Sequence, residues 1–220
     1  MTRERISLRE PPTDPAVLRG GPETVTYSKF ARCARSMFSS PWFFSADGQG
    51  RFDLVDRPGK GTCYIASDEI GAMREVLGPD YVPGVPVSRA LFDDRTVWAL
   101  DPTGGDWSAP TANLRHDHWD ANGLTQEVFS IPDYSIPQRW ASALFDAGYA
   151  ALTVALRHVL DPFRFGLALF GPEGAQTADE RFPSVTPRPI DDSTLARFTA
   201  ETNITIGPSA SPVAALIVVA

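Results

Sequence analysis

Four side chains between residues 32 and 75 have types and spacing that can do chemistry: Arg32 in FARCARS, Arg51 in GQGRFD, Tyr64 in GTCYIA and Glu75 in AMREVLG. Two guanidinium groups can fork onto the oxygens of a pyrophosphate. A tyrosine offers a face on which a flat ring stacks. A carboxylate can hold ribose hydroxyls and stabilise positive charge at an anomeric carbon. Cleavage of an N-glycosidic bond passes through such an oxocarbenium-like state. Each residue also has a plain structural reading. Tyr64 alternates with Ile65 and fits a core, Arg51 fits a turn paired to Asp53 or Asp56, and Glu75 fits an exposed helix face.

Other familiar signatures are absent. The chain has no GxGxxG, GxxxxGK[ST], GxSxG or HExxH. His116-x-His118 lies close to Asp117 and Asp120, but the chain has three histidines in all and no third ligand at a recognisable spacing. A polar loop is the simpler reading there, and no metal is expected.

The elements that must position the four residues can be read from the pattern. Gly61–Ala66 reads as a strand with Thr62, Tyr64 and Ala66 on one face and Cys63 and Ile65 on the other. A helix follows at once. Ser67 is its expected N-cap, Asp68 and Glu69 occupy the first turn, and Gly78-Pro79 stops it. Ile70, Met73 and Leu77 form its buried stripe, with Glu75 to the side, near the groove between helix and sheet. Further strands are expected at Arg95–Leu100, Tyr149–Leu156, Phe163–Leu169 and Val213–Ala220. Further helices are expected from Pro137 to about Gly148 and from Asp192 to Thr202. Residues 101–123 read as a surface excursion, and His158–Pro162 as a hairpin-like loop that Arg157-His158 can close. Helices beside a mixed or antiparallel sheet make the class α+β.

Twenty Lys plus Arg stand against 27 Asp plus Glu, a net charge of −7. That balance argues against a nucleic-acid backbone as main partner. No apolar run approaches the ~18 residues of a membrane span, and Met1–Glu10 has no apolar core of a signal peptide. Cys33 and Cys63 lack CxxC spacing and fit reduced thiols in a cytoplasm. Residues 1–25, rich in Pro and Gly, read as a flexible or docked arm, and 26–220 as one folded domain.

Residues 28–172 resemble the RES domain family. Phe30-Ala-Arg32, Gly50-Arg51-Phe52-Asp53, Gly61-Thr-Cys-Tyr64-Ile-Ala66 and Ala72-Met-Arg-Glu75 match its front-half motifs in order. Gln138-Arg-Trp140-Ala141, Gly148-Tyr149, Leu156-Arg157-His158 and Ala168-Leu-Phe170-Gly171 resemble its second helix, strand and final hairpin. The resemblance implies an ADP-ribosyltransferase-like mixed sheet with packed helices, and NAD as substrate. It implies a toxin that cleaves the nicotinamide–ribose bond by hydrolysis or phosphorolysis, or that transfers ADP-ribose to a protein. It also implies a cytoplasmic location and an Xre-type antitoxin partner, as a hetero-oligomer or alongside a homodimer. Glu75 and Arg32 would be catalytic, and Arg32, Arg51, Tyr64, Leu156 and Arg157 would line the NAD site. Arg35 could replace Arg32 if the first motif slips by a turn. One departure stands out: Leu156 falls where the family carries its serine, and Thr153 and Thr177 are out of register. Loss of that hydroxyl leaves open a catalytically silent nucleotide- or partner-binding module.

Overall fold

Residues 8–18, 27–78, 81–156, 161 and 163–209 are described in a computed structural model of the chain. In chain order they form β1 (Phe30–Arg35), β2 (Phe43–Phe44), β3 (Lys60–Ala66), α1 (Glu69–Glu75), β4 (Val87–Ser88), α2 (Ala90–Asp93) and β5 (Arg95–Asp101). Then come β6 (Thr111–Asn113), α3 (Ser135–Asp146), β7 (Ala151–Val154), β8 (Gly166–Pro172), β9 (Gly174–Ala175), β10 (Ser184–Pro189), α4 (Asp192–Thr202) and β11 (Ile206–Gly207). Short 3-10 turns fill several connections.

Seven strands make the main sheet in the order β10-β5-β1-β3-β8-β7-β6. All its pairings are antiparallel except β6 with β7, so the sheet is mixed. The expected α+β class, with a mixed sheet and packed helices, is what the chain adopts. The sheet is not continuous. β1 matches β5 at six residue pairs and β3 matches β8 at seven, yet β1 and β3 meet only at Ala31 and Ala66. Beyond that pair the two halves diverge.

Alternation along the strands sorts the core. Cys63, Ile65, Leu167 and Leu169 face one way, onto Trp42, Phe44, Trp107 and Phe182. The opposite face is covered twice. Over β7 and β8, Leu152, Val154 and Phe170 pack with Trp140 and Leu144 of α3. Over β1 and β5, Ala31 and Val97 pack with Ile70 and Met73 of α1 and Phe198 of α4. The seam between the sheet halves lies between these two helical covers.

Several expectations are corrected. Asp68, not Ser67, caps α1 by accepting the Gly71 N–H at 2.6 Å. The Ser67 hydroxyl instead accepts the Phe165 N–H at 3.1 Å. Residues 101–123 are no surface excursion: they carry edge strand β6, and Trp107, Leu114 and Trp119 are buried. Strand β7 ends at Val154, two residues before Leu156. Strand β8 begins at Gly166, and Phe163 is 83% exposed. The aromatic run Trp42-Phe43-Phe44 reads in the sequence as packing, and Trp42 and Phe44 are core while Phe43 is half exposed. Strand β10 contains Pro187 and Pro189 and is tolerated because it lies at the sheet edge, where proline removes no ladder bond. Residues 8–18 of the N-terminal arm lie on α3. Leu8 is buried, and the Arg9 carbonyl accepts the Trp140 indole N–H at 2.8 Å. The expected strand at 213–220 and the loop residues 157–160, Arg157 among them, lie outside the described residues. No helix among the described residues is long and apolar enough to cross a membrane.

Candidate active site

A cavity of about 880 Å³ opens at the seam, and Arg32, Arg51, Tyr64, Glu75 and Leu156 all line it. Its volume falls in the range of about 300–1,000 Å³ usual for small-molecule and cofactor sites. β1 and β3 supply the floor, α1 one wall, and the turn at residues 50–52 the other. Arg35 ends β1 exposed and is not part of the lining, whereas Arg32 is.

The turn that presents Arg51 is built around a buried carboxylate. Asp53 is fully buried and accepts the Gly50 N–H at 2.8 Å and the Tyr64 hydroxyl at 2.9 Å. The same Tyr64 oxygen accepts the Phe52 N–H at 2.8 Å. One tyrosine on β3 thus holds two consecutive residues of the turn, and Asp53 ties them to Gly50. Glycine is required at position 50, because a Cβ there would sit 2.6 Å from the Tyr64 oxygen and collide with Asp53. Burial pushes the Asp53 carboxyl upward, although its hydrogen bonds pull the other way. Burial also raises the Tyr64 phenol well above its usual range, helped by the Asp53 charge, so the hydroxyl stays protonated and able to donate. Asp53 and Tyr64 make a pair that neither the sequence spacing nor the alternation indicated. Arg51 does not pair with Asp53 or Asp56. Its Nη1 donates to the Ile131 carbonyl at 2.5 Å, and its guanidinium lies 4.3 Å from the centre of the Tyr134 ring.

Arg32 reaches from β1 across to β2 and β3. Its Nη1 donates to the Pro41 carbonyl and contacts Cys63 Sγ at 2.6 Å. Burial pushes both thiols up, Cys33 to about 12, which makes Cys33 at the cavity and Cys63 in the core poor nucleophiles. Glu75 is the last residue of α1 and is exposed at the cavity wall. An exposed carboxylate there is accessible to a ligand's hydroxyls, which would replace water at its oxygens.

Leu156 turns away from the strand run. It joins the cluster of α1, wedged where Gly71 and Gly166 leave room: a Cβ on Gly71 would lie 2.8 Å from one Leu156 methyl, and one on Gly166 3.0 Å from the other. Leu156 is therefore a core wedge whose edge reaches the cavity. Thr153 and Thr177 are not in the lining. The hydroxyls that are belong to Tyr64, Tyr81 and Ser130. Arg74, Tyr81 and Ser130 escaped the sequence reading; Arg74 was adjacent to a motif residue, whereas the loops carrying the other two gave no signal. Among the described residues no group of three His, Cys, Asp or Glu side chains can hold a metal.

Fold and site together define an α+β protein with a split mixed sheet and a charged, aromatic cleft at the split. The sequence profile of the RES domain matches residues 29–191, and the chain belongs to the RES domain family. In fold it is similar to a chain in the crystal structure of the M. tuberculosis MbcT–MbcA toxin–antitoxin complex. The two are 13% identical, with a TM-score of 0.56 over 84% of this chain and 93% of that one. No curated protein matches the sequence.

Proposed function

We propose that this protein consumes NAD by cleaving the nicotinamide–ribose bond. The observation that carries the reading is the convergence of Arg32, Arg51, Tyr64 and Glu75 on one cavity in a RES-family chain. The C1′–N bond breaks, and nicotinamide leaves with the bonding pair, which neutralises its pyridinium charge. The ribosyl carbon becomes cationic, and Glu75 stabilises that charge electrostatically. A water or phosphate oxygen then bonds to C1′ and, in the case of water, releases a proton. Tyr64 and Asp53 hold the turn of Arg51 rigid, so the cleft is formed before substrate arrives and loses little to reorganisation.

A toxin held by an antitoxin, in the cytoplasm, is the biological setting we propose. It is supported by family membership and by the fold's likeness to a component of a toxin–antitoxin complex. One observation favours a second reading, a silent binding module: Leu156 stands where the resemblance places the family's serine, and it carries no hydroxyl. Purified protein incubated with NAD, with and without inorganic phosphate, decides between them by chromatography of the products. Release of nicotinamide together with ADP-ribose or its phosphorylated form is expected. NAD recovered intact in both conditions overturns the enzyme reading.

A further inference from the structure

Arg74 sits one residue before Glu75 in the last turn of α1 and lines the same cavity. Its Nε is buried and has no hydrogen-bond partner. Among the described residues no carboxylate forms an ion pair with it. Among the described residues, the charged and titratable groups that act on it electrostatically are Tyr81, Arg164 and Glu75. Arg164 is a like charge and is itself committed to Asp68 and Glu201.

The other two arginines of the cavity are differently placed. Arg32 has the Pro41 carbonyl and Cys63, and Arg51 has the Ile131 carbonyl and the Tyr134 ring. Arg74 alone of the three has a buried guanidinium nitrogen without an acceptor. A buried, unpaired donor on a cation is costly unless something meets it. The carbonyls at the end of α1 give some compensation, but the helix has seven residues and its dipole contribution is small. Burial accordingly lowers the guanidinium's basicity. Water alone would not need a planar fork at this point; a phosphoryl group would match it on two oxygens.

We infer that Arg74, which lines the cavity with a guanidinium committed to no carboxylate among the described residues, is an anion-holding residue that receives phosphoryl oxygens of a bound nucleotide. The inference rests on the NAD reading for the identity of the nucleotide, but not for the anion site itself. It adds a third arginine to the two, Arg32 and Arg51, that the sequence pattern offered for a pyrophosphate.

The test uses two probes on the full chain. Inorganic pyrophosphate reports the anion site, and ADP-ribose reports the nucleotide. Binding is measured by calorimetry for the wild type, Arg74→Gln and Arg74→Lys, with melting temperatures as a folding control. Arg74→Gln is expected to weaken both ligands roughly tenfold to a hundredfold, the scale of a charge-assisted fork. Arg74→Lys restores part of the loss, because it keeps the charge and loses the fork. Adenosine, which carries no phosphate, should bind all three proteins alike. Equal pyrophosphate binding by wild type and Arg74→Gln, or none by the wild type, overturns the assignment. NAD left intact by a wild type that binds pyrophosphate through Arg74 would sink the enzymatic reading and leave the anion site standing.

Discussion

Tyr64→Phe removes one oxygen atom and is the sharpest probe of how the cleft is held. That oxygen accepts the Phe52 N–H at 2.8 Å and donates to Asp53 at 2.9 Å. A neutral hydrogen bond contributes about 1 kcal/mol, and one to a charged group about 1.5–3 kcal/mol. Phe52 and Asp53 are both buried, so water does not readily replace the lost partner. The expected cost is about 3 kcal/mol, which lowers the melting temperature of a chain this size by about 6–12 °C. The deficit should depend on pH. Asp53 is already raised above its unfolded value by burial, so ionising it in the fold costs stability as pH rises. The Tyr64 hydroxyl opposes that shift, and deleting it raises the carboxyl further. The gap between variant and wild type should therefore widen from about pH 4 to about pH 8. Calorimetric melting of both proteins across that range measures it. A melting temperature unchanged by the substitution, or a gap that narrows as pH rises, would refute the account of Asp53 as a buried, tyrosine-braced carboxylate. NAD loss should also fall at temperatures where the variant is folded, because Arg51 is no longer fixed.

The other expectations are brief. Glu75→Gln keeps size and hydrogen bonding but removes the charge, and should cut NAD turnover about 10²–10³-fold while leaving affinity nearly intact; an unchanged rate in a single-turnover assay removes Glu75 from the chemistry. Leu156→Ser should lose about 2–5 kcal/mol of stability, because it empties the wedge between Gly71 and Gly166 and buries a hydroxyl. A gain in turnover with the melting temperature preserved would instead make Leu156 an active-site substitution. Cys33, its thiol pushed up to about 12, and the buried Cys63 should resist alkylation in the native protein at about pH 8 and react once it is unfolded; mass spectrometry of the native sample decides.

Local pattern was legible where local physics decides. The strand carrying Tyr64 and the helix carrying Glu75 follow from alternation and an i, i+3, i+7 stripe, and Asp192–Thr202 is the observed extent of α4. Ser67 and Asp68 are both competent caps. Only the distant Phe165 N–H, which occupies the serine hydroxyl, selects between them. Residues 101–123 misled because Asp, Gly and Pro suggested a loop, while Trp107 and Trp119 were the side chains that had to be buried. Strand alternation was extended too far at both Leu156 and Phe163, where the chain leaves the sheet. The single pairing of β1 with β3 was invisible, since it joins segments 35 residues apart and leaves no periodic trace. For the same reason the four candidate residues could be named, but the seam that gathers them could not. Arg74 was passed over because a helix-end arginine usually points to solvent, and its unpaired nitrogen appears only in three dimensions.

Strand β10 has a consequence for how copies of the chain behave in crowded solution. It forms an outer border of the main sheet, the place where a foreign strand would extend the ladder. Pro187 and Pro189 stand opposite Trp98 and Thr96 of β5, at alternate positions whose N–H groups would otherwise face outward. An incoming strand finds carbonyls there but two donors missing, on a protein that also repels its copies with a net charge of −7. Stacking of copies through this border into aggregates is therefore disfavoured, and replacing both prolines with threonine should make the chain precipitate at lower concentration.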